Sequence, residues 1–355
     1  MMKKLLIINP GSTSTKIGIY EDTKPVFIET LRHSAEDINR FSQVADQFGF
    51  RKSLIQDVLK REGFAMEELD AVVGRGGLFK PIKSGTYVVN DAMIRDIIEA
   101  KNGQHASNLG GMIAKEIGDE LGIPAYIVDP VVVDELADIA RISGCPEIPR
   151  ISIFHALNQK AIARRYAAER NKRYEDLNLI VVHMGGGISV GAHAQGLVID
   201  VNNALNGEGP MSPERSGSLP VGDLVKLCFS GKYTADDIHR KITGMGGVVA
   251  HLGINDMKEV GDRAAGGDEK AKIVFEALAY QTGKEIGSAA TVLKGKAEAI
   301  LLTGGIVYSE EMVRLISDMV AFIAPVVVYP GEDELLALAE GGLRVLNGET
   351  EAAVY

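Results

Sequence analysis

The chain has 355 residues, a net charge of −10 and two cysteines, and these figures exclude several classes of protein. A surface for nucleic acid or anionic membrane needs a basic face, which this charge disfavours. Cys145 and Cys228 are isolated, so they form neither a zinc pattern nor a disulfide framework, and we expect a cytoplasmic protein. No apolar run approaches the ~20 residues of a membrane span, and the N-terminal run is too short for a signal peptide.

The first half of the chain predicts strands and helices that follow an N-terminal hairpin. Residues 5–9 form an apolar strand, a Pro-Gly-Ser-Thr turn follows, and residues 16–20 return as the second strand. Apolar periodicity and breakers then predict, in order, a helix over 35–62, a strand over 71–74, helices over 91–101 and 107–121, and a strand over 125–128.

The second half repeats this hairpin. Residues 179–183 are an apolar strand that leads into three glycines and a returning strand at 188–194, and residues 301–305 run into another glycine turn. The predicted helices of this half lie, in order, over 152–170, 268–294, 309–322 and 333–347. Spacings of three and four in helix 268–294 predict a packing face made of Ile273, Ala277, Tyr280, Gly283, Gly287 and Ala290.

The repeated hairpin indicates an internal duplication, that is, two similar α/β halves that face each other. The length also favours two domains. Residues 143–149 are rich in breakers, so we expect a first domain over 1–149 plus 333–355 and a second over 150–332. The last helix then packs against the first domain.

The first glycine turn has the composition of a phosphate site. The segment 9–16 carries four hydroxyls and one ammonium, and tight turns leave backbone amides free to face anionic oxygens. An ordinary hairpin turn explains Pro-Gly equally well. The chain has no Gly-x-x-x-x-Gly-Lys-Ser/Thr sequence, and this turn has no Gly-x-Gly-x-x-Gly. Both a P-loop and a Rossmann site are therefore disfavoured.

The second turn, His183-Met-Gly-Gly-Gly, follows the same logic. Three consecutive glycines cost conformational entropy, which is tolerated where a backbone must approach a ligand closely. A histidine at a strand end is more often structural, so the sequence leaves the role of His183 open.

Several motifs together resemble the acetate and butyrate kinase family, which shares a superfamily with sugar kinases, the heat-shock ATPase domain and actin. The first is Leu-Ile-Ile-Asn-Pro-Gly-Ser-Thr-Ser-Thr-Lys at 6–16. The others follow in the family's order: Gly-Arg-Gly-Gly at 74–77, Val-Asp-Pro at 128–130, Phe-His at 154–155, His-Met-Gly-Gly-Gly at 183–187, Glu-Arg-Ser-Gly at 214–217, Asn-Asp-Met at 255–257 and Thr-Gly-Gly-Ile at 303–306. The resemblance implies an α/β fold of two duplicated ribonuclease-H-like domains, the actin-like ATPase fold, around an interdomain cleft.

The length and the internal motifs of the chain are more similar to those of the butyrate kinase branch than to those of acetate kinases. Two features of the sequence also differ from acetate kinases. Gly186 stands where acetate kinases usually carry asparagine, which puts a side-chain phosphate contact in doubt. After His155 the chain reads Ala-Leu-Asn-Gln instead of Gly-Thr-Ser-His, so the residues that follow His155 differ from those of acetate kinases.

The resemblance implies a set of catalytic residues for phosphoryl transfer to a carboxylate. Such an acceptor is already ionised at pH 7, so it needs a cation rather than a general base. Arg75 and Arg215 are the candidates, because arginine is planar, bidentate and always charged. By the residues alone each is more typical of a solvated loop. His155 would donate a hydrogen bond to the transferring phosphoryl group.

The resemblance also implies ligands for ATP and Mg²⁺. Asp129 would reach the metal or its waters, although an Asp-Pro turn explains it as well, and Glu332, Asp333 or Glu334 would assist. Acids at a helix start also favour the macrodipole without a metal. The nucleotide contacts would come from Asn9, Ser12, Ser14 and Lys16, from His183, Gly185, Gly186 and Gly187, and, beside the adenosine, from Asp256, Met257, Gly304, Gly305 and Ile306.

The expected reaction is reversible, direct in-line transfer from ATP to butyrate or a branched relative, which gives an acyl phosphate and ADP. Acetate or propionate is an alternative acceptor. A sugar or polyol kinase, which would use Asp129 as base, and a non-metabolic actin-like ATPase are further alternatives. We expect a homodimer or higher homo-oligomer that binds neither nucleic acid nor membrane.

Overall fold

The structure is a computed structural model that describes residues 2–101 and 103–355. Its strands in chain order are β1 (Lys4–Pro10), β2 (Ser14–Glu21), β3 (Lys24–Arg32), β4 (Ala71–Arg75), β5 (Thr86–Val88), β6 (Ala125–Val128), β7 (Asn178–Met184), β8 (Ile188–Ala194), β9 (Leu197–Val201), β10 (Ala299–Gly304), β11 (Val326–Pro330) and β12 (Ala353–Val354). Its α-helices are α1 (Ala35–Asn39), α2 (Phe48–Arg61), α3 (Asp91–Glu99), α4 (Asn108–Leu121), α5 (Ala156–Ala168), α6 (Val221–Cys228), α7 (Ala235–Thr243), α8 (Gly247–Leu252), α9 (Met257–Ala265), α10 (Glu269–Val292), α11 (Glu310–Val320) and α12 (Glu334–Leu346).

The strands form two sheets that share one pattern. The first runs β12-β5-β6-β4-β1-β2-β3 and the second β11-β10-β7-β8-β9. In the first, β1, β2 and β3 are antiparallel neighbours, whereas β1, β4 and β6 are parallel. In the second, β7, β8 and β9 are antiparallel, and β7, β10 and β11 are parallel. Five strands thus have the same order and directions in both sheets, which confirms the predicted duplication of an α/β half.

The first strand of each repeated hairpin, β1 in one sheet and β7 in the other, is buried because helices cover both faces of the sheet. The side chains of Leu5, Leu6, Ile7 and Ile8 in β1 are 0% exposed, as are those of Leu179, Ile180, Val181 and Val182 in β7. Continuous apolar runs of this kind are typical of sheets packed on both sides. In the first sheet α4 and α12 pack on β1, β4 and β6, and in the second α5 and α10 pack on β7.

The chain forms two compact units. One contains the chain up to Val133 together with Asp333–Tyr355, and the other is Asp134–Glu332. The C-terminal helix α12 packs on the sheet of the first unit. No helix within residues 2–101 and 103–355 is long and apolar enough to cross a membrane.

Two of the predicted helices differ in the structure. The predicted helix 35–62 is divided into α1, a 3-10 helix at Ala45–Gln47, and α2. The predicted packing face of α10 is wrong at Ile273 and Tyr280, which are 62% and 57% exposed. The buried stripe instead follows Val274, Leu278 and Ile286.

Candidate active site

The turn between β1 and β2 presents its backbone amides outward. The carbonyls of Gly11 and Ser14 accept from Arg51 Nη1 at 2.7 and 3.0 Å, and the carbonyl of Ser12 accepts from Arg51 Nη2 at 3.1 Å. The Thr13 carbonyl accepts from a backbone amide in the interior at 2.9 Å. Because an N–H points opposite to the preceding carbonyl in a trans peptide, the amides of residues 12–14 are directed away from the interior. This arrangement suits an anion.

Arg51 in α2 holds this turn, and sequence reasoning missed it. Its side chain is 1% exposed. Besides the three carbonyls, it donates to Thr15 Oγ1 and Gln47 Oε1, so these acceptors are all neutral. Burial lowers the pKa of Arg51 to about 10, which leaves it cationic at neutral pH. A charged guanidinium directly behind the turn adds a positive field to the outward amides.

Asn9, Arg75 and Glu334 meet at the carboxyl edge of the first sheet. β1 and β4 pair in parallel with Ile8 beside Gly74, which places the side chains that follow next to each other. Arg75 Nη1 donates to Asn9 Oδ1 at 3.3 Å and forms an ion pair with Glu334. Asn9 Nδ2 donates to Glu334 Oε2 at 2.6 Å. A functional edge of this kind is typical of open α/β sheets.

Two other predicted residues of the first unit lie near this edge in different settings. Lys16 lies opposite Asn9 in the β1–β2 register and is exposed. Asp129 follows β6, is 1% exposed, and has a φ of +37°, which is strained for a residue with a side chain. Its Oδ1 accepts from the Gly85 amide at 2.7 Å, and its own amide donates to the Gly85 carbonyl at 3.0 Å. The carboxylate of Asp129 is therefore held in a fixed orientation.

His155 and His183 stack on each other in the second unit. Their ring centroids are 3.9 Å apart and the ring planes differ by 17°. His183 is the penultimate residue of β7, and its Nδ1 lies 2.9 Å from Asn158 Oδ1. Since that oxygen can only accept, His183 Nδ1 carries a proton. His183 Nε2 lies 3.7 Å from a carboxylate oxygen of Glu332.

Arg215 completes the cluster around the stacked histidines. Its Nη1 donates to the Ala204 carbonyl at 2.6 Å. A Cβ at Gly187 would overlap Arg215 Nη1 and lie 3.3 Å from His155 Cε1, so a side chain there would displace the guanidinium. Burial lowers the pKa of Arg215, and the Glu214 carboxylate opposes that shift. The structure therefore brings together predicted residues that are as far apart in sequence as 155 and 215.

The rest of the triple-glycine turn is also held from behind. The Gly185 amide donates to the Gly187 carbonyl at 3.0 Å, and Ser212 Oγ donates to the Gly186 carbonyl at 2.7 Å. As in the first turn, carbonyls that are engaged within the protein leave the opposite side of the backbone to a ligand.

A cavity of about 740 Å³ lies beside α9 and α10. Its walls include Met257, Gly305 and Ile306, as well as Phe275 and Tyr308, which the sequence did not single out. The volume is in the range of small-molecule and cofactor sites. Two predicted residues that lie close to the cavity also shape the local backbone. Asp256 caps α9 by accepting from the Lys258 amide at 2.8 Å. At Gly304, with a φ of +99°, a side chain would overlap the Met184 carbonyl.

The acids before α12 have separate partners. Asp333 caps α12 by accepting from the Leu336 amide at 3.1 Å, whereas Glu334 belongs to the cluster with Asn9 and Arg75. Among the residues that the structure describes, no group of three or more His, Cys, Asp or Glu side chains is arranged to hold a metal.

Sequence comparison decides the family. Residues 149–326 match the family model described as the acetokinase family. The chain belongs to the acetokinase family. It is 63% identical to butyrate kinase 1 of Clostridium acetobutylicum over 354 residues, which is 100% of each chain. It is 60% identical to butyrate kinase 2 of the same organism and 59% identical to a probable butyrate kinase of Clostridium botulinum, again over 100% of each chain.

Solved structures agree with an acetokinase fold. Acetate kinase of Porphyromonas gingivalis has a TM-score of 0.80 at 20% identity, and covers 97% of this chain and 100% of its own. A propionate kinase of Francisella tularensis has a TM-score of 0.73 at 18% identity over 96% and 99% of the two chains. The ROK hexokinase of Thermus thermophilus has a TM-score of 0.51 at 14% identity, and covers 97% of this chain and 100% of its own. The predicted family and fold class are thus confirmed.

Proposed function

We propose that the protein transfers the γ-phosphoryl group of ATP to the carboxylate of butyrate or a branched short-chain relative. The products are an acyl phosphate and ADP, and the transfer is reversible and in line. The observation that carries this proposal is the 63% identity to a butyrate kinase over the whole length of both chains. The candidate site supports the chemistry that such a transfer requires.

The acceptor needs a cation and no base, because a carboxylate is ionised at neutral pH. Arg75 and Arg215 supply guanidinium groups whose planar forks match a carboxylate. Arg75 is held by Asn9 and Glu334, and Arg215 by the Ala204 carbonyl. Side chains fixed in this way lose little entropy when the substrate binds.

The two glycine turns bind the phosphates of one nucleotide in this proposal. The amides of residues 12–14, with Lys16, serve one side, and the backbone of Gly185–Gly187 serves the other. His155 and Arg215 donate to the equatorial oxygens of the transferring group, where charge builds up in the transition state.

The cavity beside α9 takes the adenosine. Ile306, Met257 and Phe275 provide an apolar wall for the base, and its volume of about 740 Å³ accommodates a nucleoside. The base then lies on the second unit, which also carries His155 and Arg215.

The donor set fits Mg²⁺. This ion takes oxygen ligands, and typically uses one or two carboxylates together with waters and substrate phosphates, so a cluster of three protein ligands is not required. Asp129 is the residue we propose to hold it, since its carboxylate is buried and held in place by Gly85. Glu332 is a second candidate, whereas Asp333 already caps α12. When bound with ATP, the ion neutralises charge on the phosphate oxygens.

Association of two copies is the remaining part of the proposal. Val221, Val225 and Phe229 follow one another at intervals of four residues along and just after α6, and are 71%, 50% and 87% exposed. A helix face of this kind is typical of a protein–protein contact. A homodimer would cover it, and sedimentation of wild type and Val225→Glu would detect the loss of such a dimer.

A hydroxamate assay for acyl phosphate tests the function. The purified protein receives ATP, Mg²⁺ and, in separate reactions, acetate, propionate, butyrate, isobutyrate or glycerol. We expect the highest kcat/KM with butyrate or isobutyrate and no ADP formation that depends on glycerol. A preference for acetate would contradict the proposed acceptor, and ADP formation with glycerol alone would contradict the reaction class.

A further inference from the structure

A chain of buried hydrogen bonds leads from Tyr174 to His155. Tyr174 Oη lies 2.7 Å from His193 Nδ1, and His193 Nε2 lies 2.8 Å from Gln159 Oε1. Gln159 Nε2 donates to Ser189 Oγ at 2.8 Å, and Ser189 Oγ lies 2.9 Å from His155 Nδ1. Gln159, His193 and Ser189 are each 0% exposed.

The orientation of the Gln159 amide is determined by the Ser189 backbone. Gln159 Nε2 lies 3.1 Å from the Ser189 carbonyl oxygen, which can only accept. The NH₂ group must therefore face Ser189, with one hydrogen for its carbonyl and the other for Oγ. It follows that Gln159 Oε1 faces His193 and accepts from Nε2.

His193 is consequently a neutral imidazole with its proton on Nε2. Its full burial, together with nearby Lys160 and Arg164, holds its pKa well below the ordinary value. Lys160 is itself buried, and its Nζ donates to Glu135 Oε2 at 2.6 Å. Because His193 donates its Nε2–H to Gln159 Oε1, its unprotonated Nδ1 accepts a hydrogen bond from the Tyr174 hydroxyl. Each donor in the chain thus points the same way.

Ser189 links this chain of hydrogen bonds to His155. Ser189 is fully buried, so its hydroxyl proton needs an acceptor. Its oxygen accepts from Gln159, and the proton is therefore directed at His155 Nδ1, 2.9 Å away. His155 Nδ1 is then an acceptor, and the neutral ring carries its proton on Nε2. His183, stacked on it, has the opposite tautomer, because its Nδ1 donates to Asn158 Oδ1.

We propose that Gln159, supported by His193 and Tyr174, is a positioning residue that fixes His155 as the Nε2–H tautomer. This inference rests on the proposed function, in which the Nε2–H of His155 donates to the transferring phosphoryl group. It gives a physical role to the Asn-Gln pair at which this chain departs from the Gly-Thr-Ser-His of acetate kinases. A donor fixed in advance needs no reorganisation at the moment of transfer.

The decisive variant is Gln159→Glu, which keeps the shape and replaces the two N–H donors with an acceptor. The Ser189 hydroxyl must then donate to Glu, and its oxygen accepts from His155. We expect the proton of His155 to move to Nδ1. We also expect kcat to fall about 10²-fold, as for the loss of one transition-state donor, while KM for ATP changes less than about threefold.

The tautomer is read directly by ¹⁵N–¹³C correlation NMR of histidine-labelled protein, with His155→Asn to assign the signal. The wild type should show a protonated Nε2 and an unprotonated Nδ1. A wild-type ring protonated on Nδ1, or a Gln159→Glu spectrum unchanged at His155, would overturn the inference. Since the spectra need no substrate, they are independent of whether butyrate is the acceptor.

Two further variants keep the test valid if Gln159→Glu unfolds. Ser189→Ala removes the last link and, unlike Gln159→Glu, should leave His155 without a fixed tautomer. Gln104→Glu is the matched control, because Gln104 Oε1 accepts from the Val44 amide at 3.0 Å, and a carboxylate accepts equally well. The control should retain both the wild-type His155 signal and wild-type kcat. A His155 tautomer that stays fixed in Ser189→Ala would contradict the proposed chain.

Discussion

The contact between Gly187 and Arg215 gives a quantitative test of the candidate site. In Gly187→Ala the new methyl carbon would lie 2.7 Å from Arg215 Cζ and closer still to Nη1, whereas ordinary contacts begin at 3.4 Å. The guanidinium must therefore move by at least 0.7 Å, which is the difference between these distances. A displacement on the order of 1 Å costs about 10²-fold in rate, or about 2.7 kcal/mol in the barrier.

The fold should tolerate this change, because the atoms that must move are the end of a flexible side chain. The Ala204 hydrogen bond is the main loss, at about 1 kcal/mol, so we expect Tm to fall by less than about 4 °C. kcat and KM for butyrate are measured by the hydroxamate assay, and Tm by circular dichroism.

Two alanine variants serve as comparisons. At Gly186 the nearest atom to an added Cβ is 3.9 Å away, so Gly186→Ala should lose less than about tenfold in kcat. Gly222→Ala on α6 meets nothing within 4 Å and should retain wild-type activity. If Gly187→Ala kept more than half of the wild-type kcat/KM, the guanidinium position would not matter, and the proposed role of Arg215 would be wrong.

Three further predictions concern other charged groups. Arg75→Ala and Arg215→Ala should each lower kcat/KM for butyrate by about 10²-fold or more with unchanged circular dichroism, and near-normal turnover in both would refute the mechanism. Arg51→Lys keeps a charge but loses the fork that spans three carbonyls, so KM for ATP should rise about tenfold, and an unaltered KM would argue against the phosphate turn. Burial raises the pKa of Glu285, so its folded carboxyl binds protons more tightly than the unfolded one, and stability falls as pH rises above the ordinary value. Glu285→Gln should therefore raise Tm at pH 8 but not at pH 4, and equal shifts at both would contradict this.

The hairpins were predictable because apolar strands and glycine turns are local signals. β1 and β7 each combine an uninterrupted apolar run with a turn that only small residues permit. β3 was missed, because its side chains lie partly exposed at a sheet edge and its residues Lys-Pro-Val-Phe-Ile-Glu-Thr-Leu-Arg give only a weak alternation. Strand pairing, which determines sheet order, depends on contacts that no local pattern reveals.

The residues that support the site were not predictable from the sequence. Arg51 lies in an amphipathic helix, where an arginine is normally taken to face solvent, yet its side chain is buried against the first turn. Gln159 and Ser189 have no motif of their own, and their role depends on being placed between His193 and His155. Glu334 was one of three acids that the sequence could not separate, and only the contacts with Asn9 and Arg75 distinguish it.

Transfer of a phosphoryl group from ATP to a short acid can be observed by ³¹P NMR of one reaction mixture. Purified protein with ATP, Mg²⁺ and butyrate should produce an acyl phosphate and ADP in equal amounts, with no inorganic phosphate from the transfer itself. ATP that stays intact in the presence of butyrate, or inorganic phosphate as the sole product beside ADP, would contradict the account.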